Sequence, residues 1–125
     1  MFELDICKEF SAAHSLKGYP GNCSSLHGHN WKVQVFVRSG ALDGIGIALD
    51  FKTLKKELDA ILAELDHRYL NDLDLFAGCN PTSENLAKYI YQRLSGAVND
   101  AEKGIRVSKV RVCESEHSGA AYFED

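Results

Sequence analysis

The alternation of side chains that begins at His27 constrains the fold more than any other feature of this sequence. Over residues 27–37, every second position holds a histidine or a large apolar residue: His27, His29, Trp31, Val33, Val35 and Val37. Alternate side chains of a strand point to the same face of a sheet. The pattern therefore predicts a strand with one buried face, and it places two histidines where that face ends.

A second segment, residues 2–12, alternates in the same way and predicts another half-buried strand. If the alternation continues, His14 lies on the same face as Phe10. The connection over 15–26 is rich in glycine, proline and asparagine, as turns are. The two strands are therefore expected to be neighbours whose apolar faces both end in histidine.

Two amphipathic helices are predicted in the middle of the chain. Apolar residues at helical spacing favour a helix over about 51–66, and Asp50 is suited to cap it because a carboxylate accepts free amide hydrogens. Thr82 or Ser83 is expected to cap a second helix that reaches about residue 95.

The end of the chain completes an α+β fold in a single domain, residues 1–125. Two final strands fit 105–114 and 119–123, and a change of parity between Val107 and Val110 indicates a bulge or a strand covered on both faces. The order ββααββ predicts a four-stranded antiparallel sheet with two helices on one face. Its long apolar edges favour oligomerisation.

The composition narrows the class of protein. The chain has 125 residues, of which 45% are hydrophobic and 26% are charged, as in one globular domain. Its net charge of −4 gives no general attraction to nucleic acid or to an anionic membrane surface. No apolar run could cross a bilayer, and the acidic start lacks the positive charge of a signal peptide. The expected location is the cytoplasm.

His14, His27 and His29 form the strongest chemical pattern. Three histidines bind zinc and leave one coordination position open, as catalytic zinc sites do. Cys23 lies four residues before His27. It could be a fourth ligand that closes a structural site, or a thiolate that acts as a base or nucleophile beside the metal. The spacing alone does not separate these alternatives.

Two acidic positions also suggest chemistry. Asp66 falls at the end of the first predicted helix, where a carboxylate opposes the helix dipole, and His67 follows it. An Asp–His pair can move protons, although a solvated helix end is the alternative. Glu114, at the end of a strand, could accept two hydrogen bonds from an amidine-like N–H pair, or could be a surface charge.

Several motifs occur together along the chain, in the order Phe10-Ser11-Ala12-Ala13-His14, Cys23-x3-His27-Gly28-His29, Leu49-Asp50-Phe51, Leu65-Asp66-His67-x2-Leu70-Asn71, Asn80-Pro81-Thr82-Ser83-Glu84 and Glu114. With them the chain resembles the 6-pyruvoyltetrahydropterin synthase family. Within that family, the short gap between Cys23 and His27 is similar to that of the bacterial branch that forms 6-carboxy-5,6,7,8-tetrahydropterin for queuosine synthesis.

The resemblance implies a role for each site residue. Zinc would be bound by His14, His27 and His29. The catalytic groups would be Cys23, Asp66 and His67. Glu114 would anchor a pterin ring, and Thr82 and Ser83 would be pocket candidates.

The resemblance also implies an activity and an assembly. The substrate would be 7,8-dihydroneopterin triphosphate, and the products 6-carboxytetrahydropterin, acetaldehyde and triphosphate. Lys17 and Arg38 are candidates for binding the triphosphate. The tunnelling fold of the family would close into trimeric barrels, two of which make a hexamer. The alternatives are a lyase that forms the pyruvoyl product and a non-catalytic zinc- or pterin-binding module.

Overall fold

The computed structural model describes residues 1–21 and 24–125. In them the strands and helices follow the order β1 (Phe2–His14), β2 (His27–Ser39), α1 (Phe51–Leu62), β3 (Arg68–Tyr69), α2 (Ser83–Val98), β4 (Ile105–Ser115) and β5 (Ser118–Tyr122). The strands form one sheet in the order β3-β1-β2-β4-β5. All pairs are antiparallel except β1–β3. The predicted α+β architecture with two helices is confirmed.

The buried face of the sheet follows the alternation of the sequence. Apolar residues of β1, β2 and β4 are buried together with those of the two helices. The register pairs His14 with His27 and Ala12 with His29 across β1 and β2. The histidines therefore continue the core face at the end of the sheet where β1 finishes and β2 begins.

A β-bulge in β4 explains the change of parity. Phe36 pairs with Lys109, whereas Val37 pairs with Val107, so that Ser108 has no partner in β2. One extra residue shifts the alternation by one position. Val107 and Val110, both fully buried, consequently face the same core.

The helix caps agree with the predictions, but one helix end does not. Asp50 Oδ1 accepts a hydrogen bond from Lys52 N at 2.8 Å, and Thr82 Oγ1 accepts one from Asn85 N at 3.1 Å. The prediction that α1 reaches residue 66 is wrong, because the helix ends at Leu62 and tightens into a turn in which Leu65 N donates to Leu62 O. Neither α1 nor α2 has the length and apolarity that a membrane-spanning helix requires.

The sheet also contains one strand more than the four that were predicted. Arg68 and Tyr69 form β3, which runs parallel to β1 beside Ala12 and Ala13. A strand of two residues is too short to show an alternating pattern in the sequence. The strand is placed beside β1 by the preceding residues, Asp66 and His67, which bind Ser11.

Candidate metal centre

The side chains of His14, His27 and His29 converge on one point at the end of the sheet. His14 Nε2 lies 3.0 Å from His27 Nε2 and 3.2 Å from His29 Nε2. One ligand nitrogen from each ring lies within 4.8 Å of the other two. The register supplies this geometry, because His14 faces His27 across β1 and β2 and His29 follows two residues later on the same face.

Two of the rings are oriented by main-chain carbonyl groups. His14 Nδ1 is 2.8 Å from Pro81 O, and His27 Nδ1 is 2.7 Å from Ser25 O. A carbonyl oxygen can only accept, so each Nδ1 carries the hydrogen and each neutral ring presents an unprotonated Nε2. An unprotonated Nε2 can bind a cation, and the ligand nitrogens of the three rings lie close enough to share one. This arrangement fits a metal ion, with the carbonyl groups fixing the ligand rings.

Burial favours the neutral rings that a metal requires. His14 is 1% exposed, and burial lowers the pKa of its imidazole. Burial lowers the pKa of His29 as well. Fully buried Trp31 packs against both, with its ring centroid 4.9 Å from that of His14 and 5.0 Å from that of His29. A metal ion binds the neutral form of imidazole. A histidine whose pKa is lowered by burial can therefore bind metal at a lower pH than an exposed histidine can.

The donor set is typical of zinc. Three imidazole nitrogens bind zinc and leave a fourth position for water or substrate oxygen. Within residues 1–21 and 24–125, no further cysteine, histidine or carboxylate joins this cluster. Cys23 lies outside the described residues, so its role as ligand or base stays a prediction.

Asp66 and His67 form the pair that the sequence suggested, and both dock on Ser11. Asp66 Oδ1 accepts from Ser11 N at 2.9 Å, and Asp66 Oδ2 lies 3.0 Å from His67 Nδ1. The main-chain N–H of His67 donates to Ser11 O at 2.6 Å. The Ser11 N–H, together with His67, lowers the pKa of Asp66. His67 adopts φ 58°, and its side chain is 81% exposed.

His67 and His29 line the same surface cleft. Its volume is about 560 Å³, and Ser11 and Asn30 also line it. The exposed imidazole of His67 and one candidate metal ligand, His29, are therefore accessible from the same cleft. A carboxylate on Nδ1 of His67 leaves Nε2 free to exchange a proton with a molecule in that cleft.

Glu114 lies beside the metal ligands at the border of a second cleft. Its Oε2 is 3.6 Å from His29 Nε2. This cleft, of about 790 Å³, is also lined by Lys32 and Arg111, which the sequence reasoning missed. The sequence did contain a signal for them: Lys32 and Arg111 alternate with the buried residues of β2 and β4, which places both on the face of the sheet opposite the core. Arg38, by contrast, pairs with Glu3 at 3.2 Å, roughly 30 Å from His29 along β2 at about 3.3 Å per residue.

Thr82 and Ser83 begin α2 close to the metal centre. Thr82 is the N-cap, and Ser83 is the first helical residue. Pro81, immediately before them, provides the carbonyl group that binds His14 Nδ1. Neither residue lines the two clefts beside His29. Their contact with substrate stays a prediction.

Comparison with known proteins places the chain in a family. The chain is 40% identical over 127 residues to the 6-carboxy-5,6,7,8-tetrahydropterin synthase of Synechocystis, covering 94% of this chain and 92% of that protein. It is 39% identical over 85 residues to the dihydroneopterin monophosphate aldolase of Pyrococcus furiosus, covering 68% of each.

The fold has a close counterpart among solved structures. The 6-pyruvoyl tetrahydropterin synthase of Caenorhabditis elegans superposes with a TM-score of 0.85 and 29% identity, covering 99% of this chain and 96% of that one. The family described as 6-pyruvoyl tetrahydropterin synthase matches residues 3–125. The chain belongs to the 6-pyruvoyl tetrahydropterin synthase family.

Proposed function

We propose that this protein is a zinc-dependent 6-carboxy-5,6,7,8-tetrahydropterin synthase. It converts 7,8-dihydroneopterin triphosphate to 6-carboxytetrahydropterin, acetaldehyde and triphosphate, and it serves queuosine or other deazapurine biosynthesis. The observation that carries the proposal is the convergence of three histidine rings, in which His14 Nε2 lies 3.0 Å from His27 Nε2 and 3.2 Å from His29 Nε2.

The carboxy-forming branch is favoured by two observations. The Synechocystis relative, 40% identical over nearly the whole chain, carries that name. The three-residue gap between Cys23 and His27 is the short gap of that branch rather than the longer one of pyruvoyl-forming enzymes. A free thiol as catalytic base also suits a reducing compartment, so the proposal places the enzyme in the cytoplasm.

In this proposal, Cys23, His67 and Glu114 supply the acid–base and binding groups that the reaction needs. When bound, zinc supplies Lewis acidity toward the oxygens of the substrate side chain. Cys23, as a thiolate, takes the carbon-bound proton. His67, held in one tautomer by Asp66, delivers or removes the second proton. Glu114 accepts the N–H pair of the pterin ring and so fixes the position of the side chain.

We propose an oligomer built through the free edges of the sheet. The N–H and C=O groups of Ser11 point away from β2. Because these directions alternate along a strand, the main-chain groups of every second residue from Glu3 to Glu9 also point away from β2. In the described part of the chain, only residues 12 and 13 of β1 pair with β3, so the edge from Glu3 to Glu9 is open. β5 is the other outer strand. Pairing of β5 with β1 of the next copy would close trimeric barrels, two of which form the hexamer. Light scattering that gives the mass of a monomer would contradict this.

Product analysis separates the candidate activities. Purified protein is incubated with zinc and 7,8-dihydroneopterin triphosphate, and the products are identified by mass spectrometry. We expect acetaldehyde and 6-carboxytetrahydropterin. A pyruvoyl product alone would assign the protein to the other branch. Because of the Pyrococcus relative, dihydroneopterin monophosphate is tested in parallel, and cleavage of that substrate alone would make the protein an aldolase. No turnover with bound zinc would indicate a binding module.

Two variants separate the roles of Cys23 and His27. Cys23→Ala is expected to abolish turnover and to retain zinc, because the thiol acts as a base. His27→Ala is expected to lower the zinc content. Loss of zinc from Cys23→Ala would make the thiol a fourth ligand, and a full zinc content in His27→Ala would refute the three-histidine site.

A further inference from the structure

We propose that Asn71 and Asn80 are positioning residues of the metal centre. Their carboxamides bind the main chain of Ser15 and Lys17, just after His14, and thereby fix the ring of that ligand. The inference rests on the proposed metal binding by His14, and it adds two residues that do not touch the metal themselves.

Each carboxamide makes two hydrogen bonds to the main chain of one residue. Ser15 N donates to Asn71 Oδ1 at 2.9 Å, and Asn71 Nδ2 donates to Ser15 O at 2.9 Å. Lys17 N donates to Asn80 Oδ1 at 2.9 Å, and Asn80 Nδ2 donates to Lys17 O at 2.9 Å. Exchange of both bonds with one residue is the pattern of a hydrogen-bonded pair in an antiparallel sheet. We call these two arrangements the amide clasps.

The amide clasps extend a row of main-chain contacts along the outer edge of β1. Asp66 and His67 bind the main chain of Ser11, and β3 then pairs with residues 12–13. The clasps at Ser15 and Lys17 follow at the same two-residue interval. Main-chain and side-chain groups from residues 66–80 thus bind the outer edge of β1 and the residues that follow it. The hydroxyl of Ser15, 2.7 Å from Tyr69 OH, adds a further contact between the two segments.

The same segment holds the ring of His14. Asn80 is followed by Pro81, whose carbonyl oxygen accepts from His14 Nδ1 at 2.8 Å. Asn80 O in turn accepts from Asn85 Nδ2 at 2.8 Å in the first turn of α2. The carbonyl group of Pro81 is therefore fixed between the helix and the clasp. The ring and the main chain of His14 are restrained by one piece of structure.

Removal of a clasp should release His14 without removing any ligand. Groups that orient metal ligands typically change metal affinity by about 10- to 100-fold when they are mutated. We expect Asn71→Ala and Asn80→Ala each to raise the zinc dissociation constant by about that factor. The matched control is Asn99→Ala, because Asn99 Oδ1 accepts from Val107 N at 2.8 Å at the end of α2. It loses a structural carboxamide but should keep the affinity of the wild type.

Zinc affinity is measured by competition with a chromophoric chelator, and the ligand geometry by the visible absorption of the Co²⁺ form. Wild-type affinity in both clasp variants, or an equal loss in Asn99→Ala, would overturn the inference. Should the variants fail to fold, hydrogen exchange of the wild type decides. The amides of Ser15 and Lys17 must be protected, and exchange at the rate of an unstructured peptide would refute the clasps. These experiments measure metal binding and not turnover. If the protein binds zinc but has no synthase activity, only the proposed function is refuted.

Discussion

His67 combines a proposed chemical role with an unfavourable backbone conformation, and the conformation predicts that glycine is more stable than alanine at this position. Its φ of 58° lies in the left-handed region, which costs a residue with a Cβ about 1–2 kcal/mol. The conformation is imposed by Ser11, which binds the N–H of His67 and the carboxylate of Asp66. We compare His67→Gly with His67→Ala, since both lack the imidazole and differ only in the Cβ.

The two variants should differ in a predictable direction. Glycine avoids the cost of about 1–2 kcal/mol but loses about 0.5–1 kcal/mol through its greater freedom in the unfolded chain. His67→Gly should therefore be more stable than His67→Ala by about 0.5–1 kcal/mol, or about 2–4 °C in Tm. The contact between the imidazole and Asp66 is absent from both variants and cancels. Both variants should lose turnover, because the proposed proton carrier is gone.

Urea unfolding at one fixed protein and zinc concentration measures the difference, since metal binding and assembly also contribute to stability. Exposed Lys56, within α1, provides a control of opposite sign. There glycine should be less stable than alanine by about 1 kcal/mol. If His67→Ala is as stable as His67→Gly while the control behaves as expected, the left-handed conformation costs alanine no more than glycine loses through its freedom in the unfolded chain, and the reasoning is refuted.

Three further predictions follow from the packing and the titration of the site. A Cβ on Gly119 would lie 2.4 Å from Cys113 Sγ, so Gly119→Ala should lower the free energy of unfolding by about 1–3 kcal/mol, and Cys113→Ala in the same chain should restore part of it; additive effects in urea unfolding would contradict this. Burial lowers the pKa of His14 in the folded state, so the unfolded chain binds the proton first as the pH falls below about 6.5. The metal-free protein should consequently lose stability from about pH 7 downward in urea titrations, and His14→Gln should flatten this dependence; an unchanged slope would exclude His14 as its source. Trp31 is the sole tryptophan and packs against the ligand rings, so Co²⁺ should quench its fluorescence with one ion per chain and fail to do so in His27→Ala; saturating Co²⁺ without quenching in the wild type would place the metal elsewhere.

The sequence by itself determined the parts of the protein that depend on local periodicity. Alternation in β1 and β2 fixed the buried face and put His14, His27 and His29 at its end. The caps at Asp50 and Thr82 were readable because a capping side chain binds an amide only two or three residues away. The bulge in β4 was visible as a change of parity, since one extra residue reverses which face each side chain takes.

Only the tertiary structure decided the features whose partners are far apart in the chain. The position of the left-handed His67 and the pairing of β3 that follows it accompany contacts of Asp66 and His67 with Ser11, which lies 55 residues from Asp66. The amide clasps join residues separated by 56 and 63 positions. Nothing in the neighbourhood of Asn71 or Asn80 indicates which main-chain groups will lie opposite. Local periodicity specifies which face of a strand is buried. The contacts that orient the candidate site residues depend instead on which distant segment of the chain lies beside the strand.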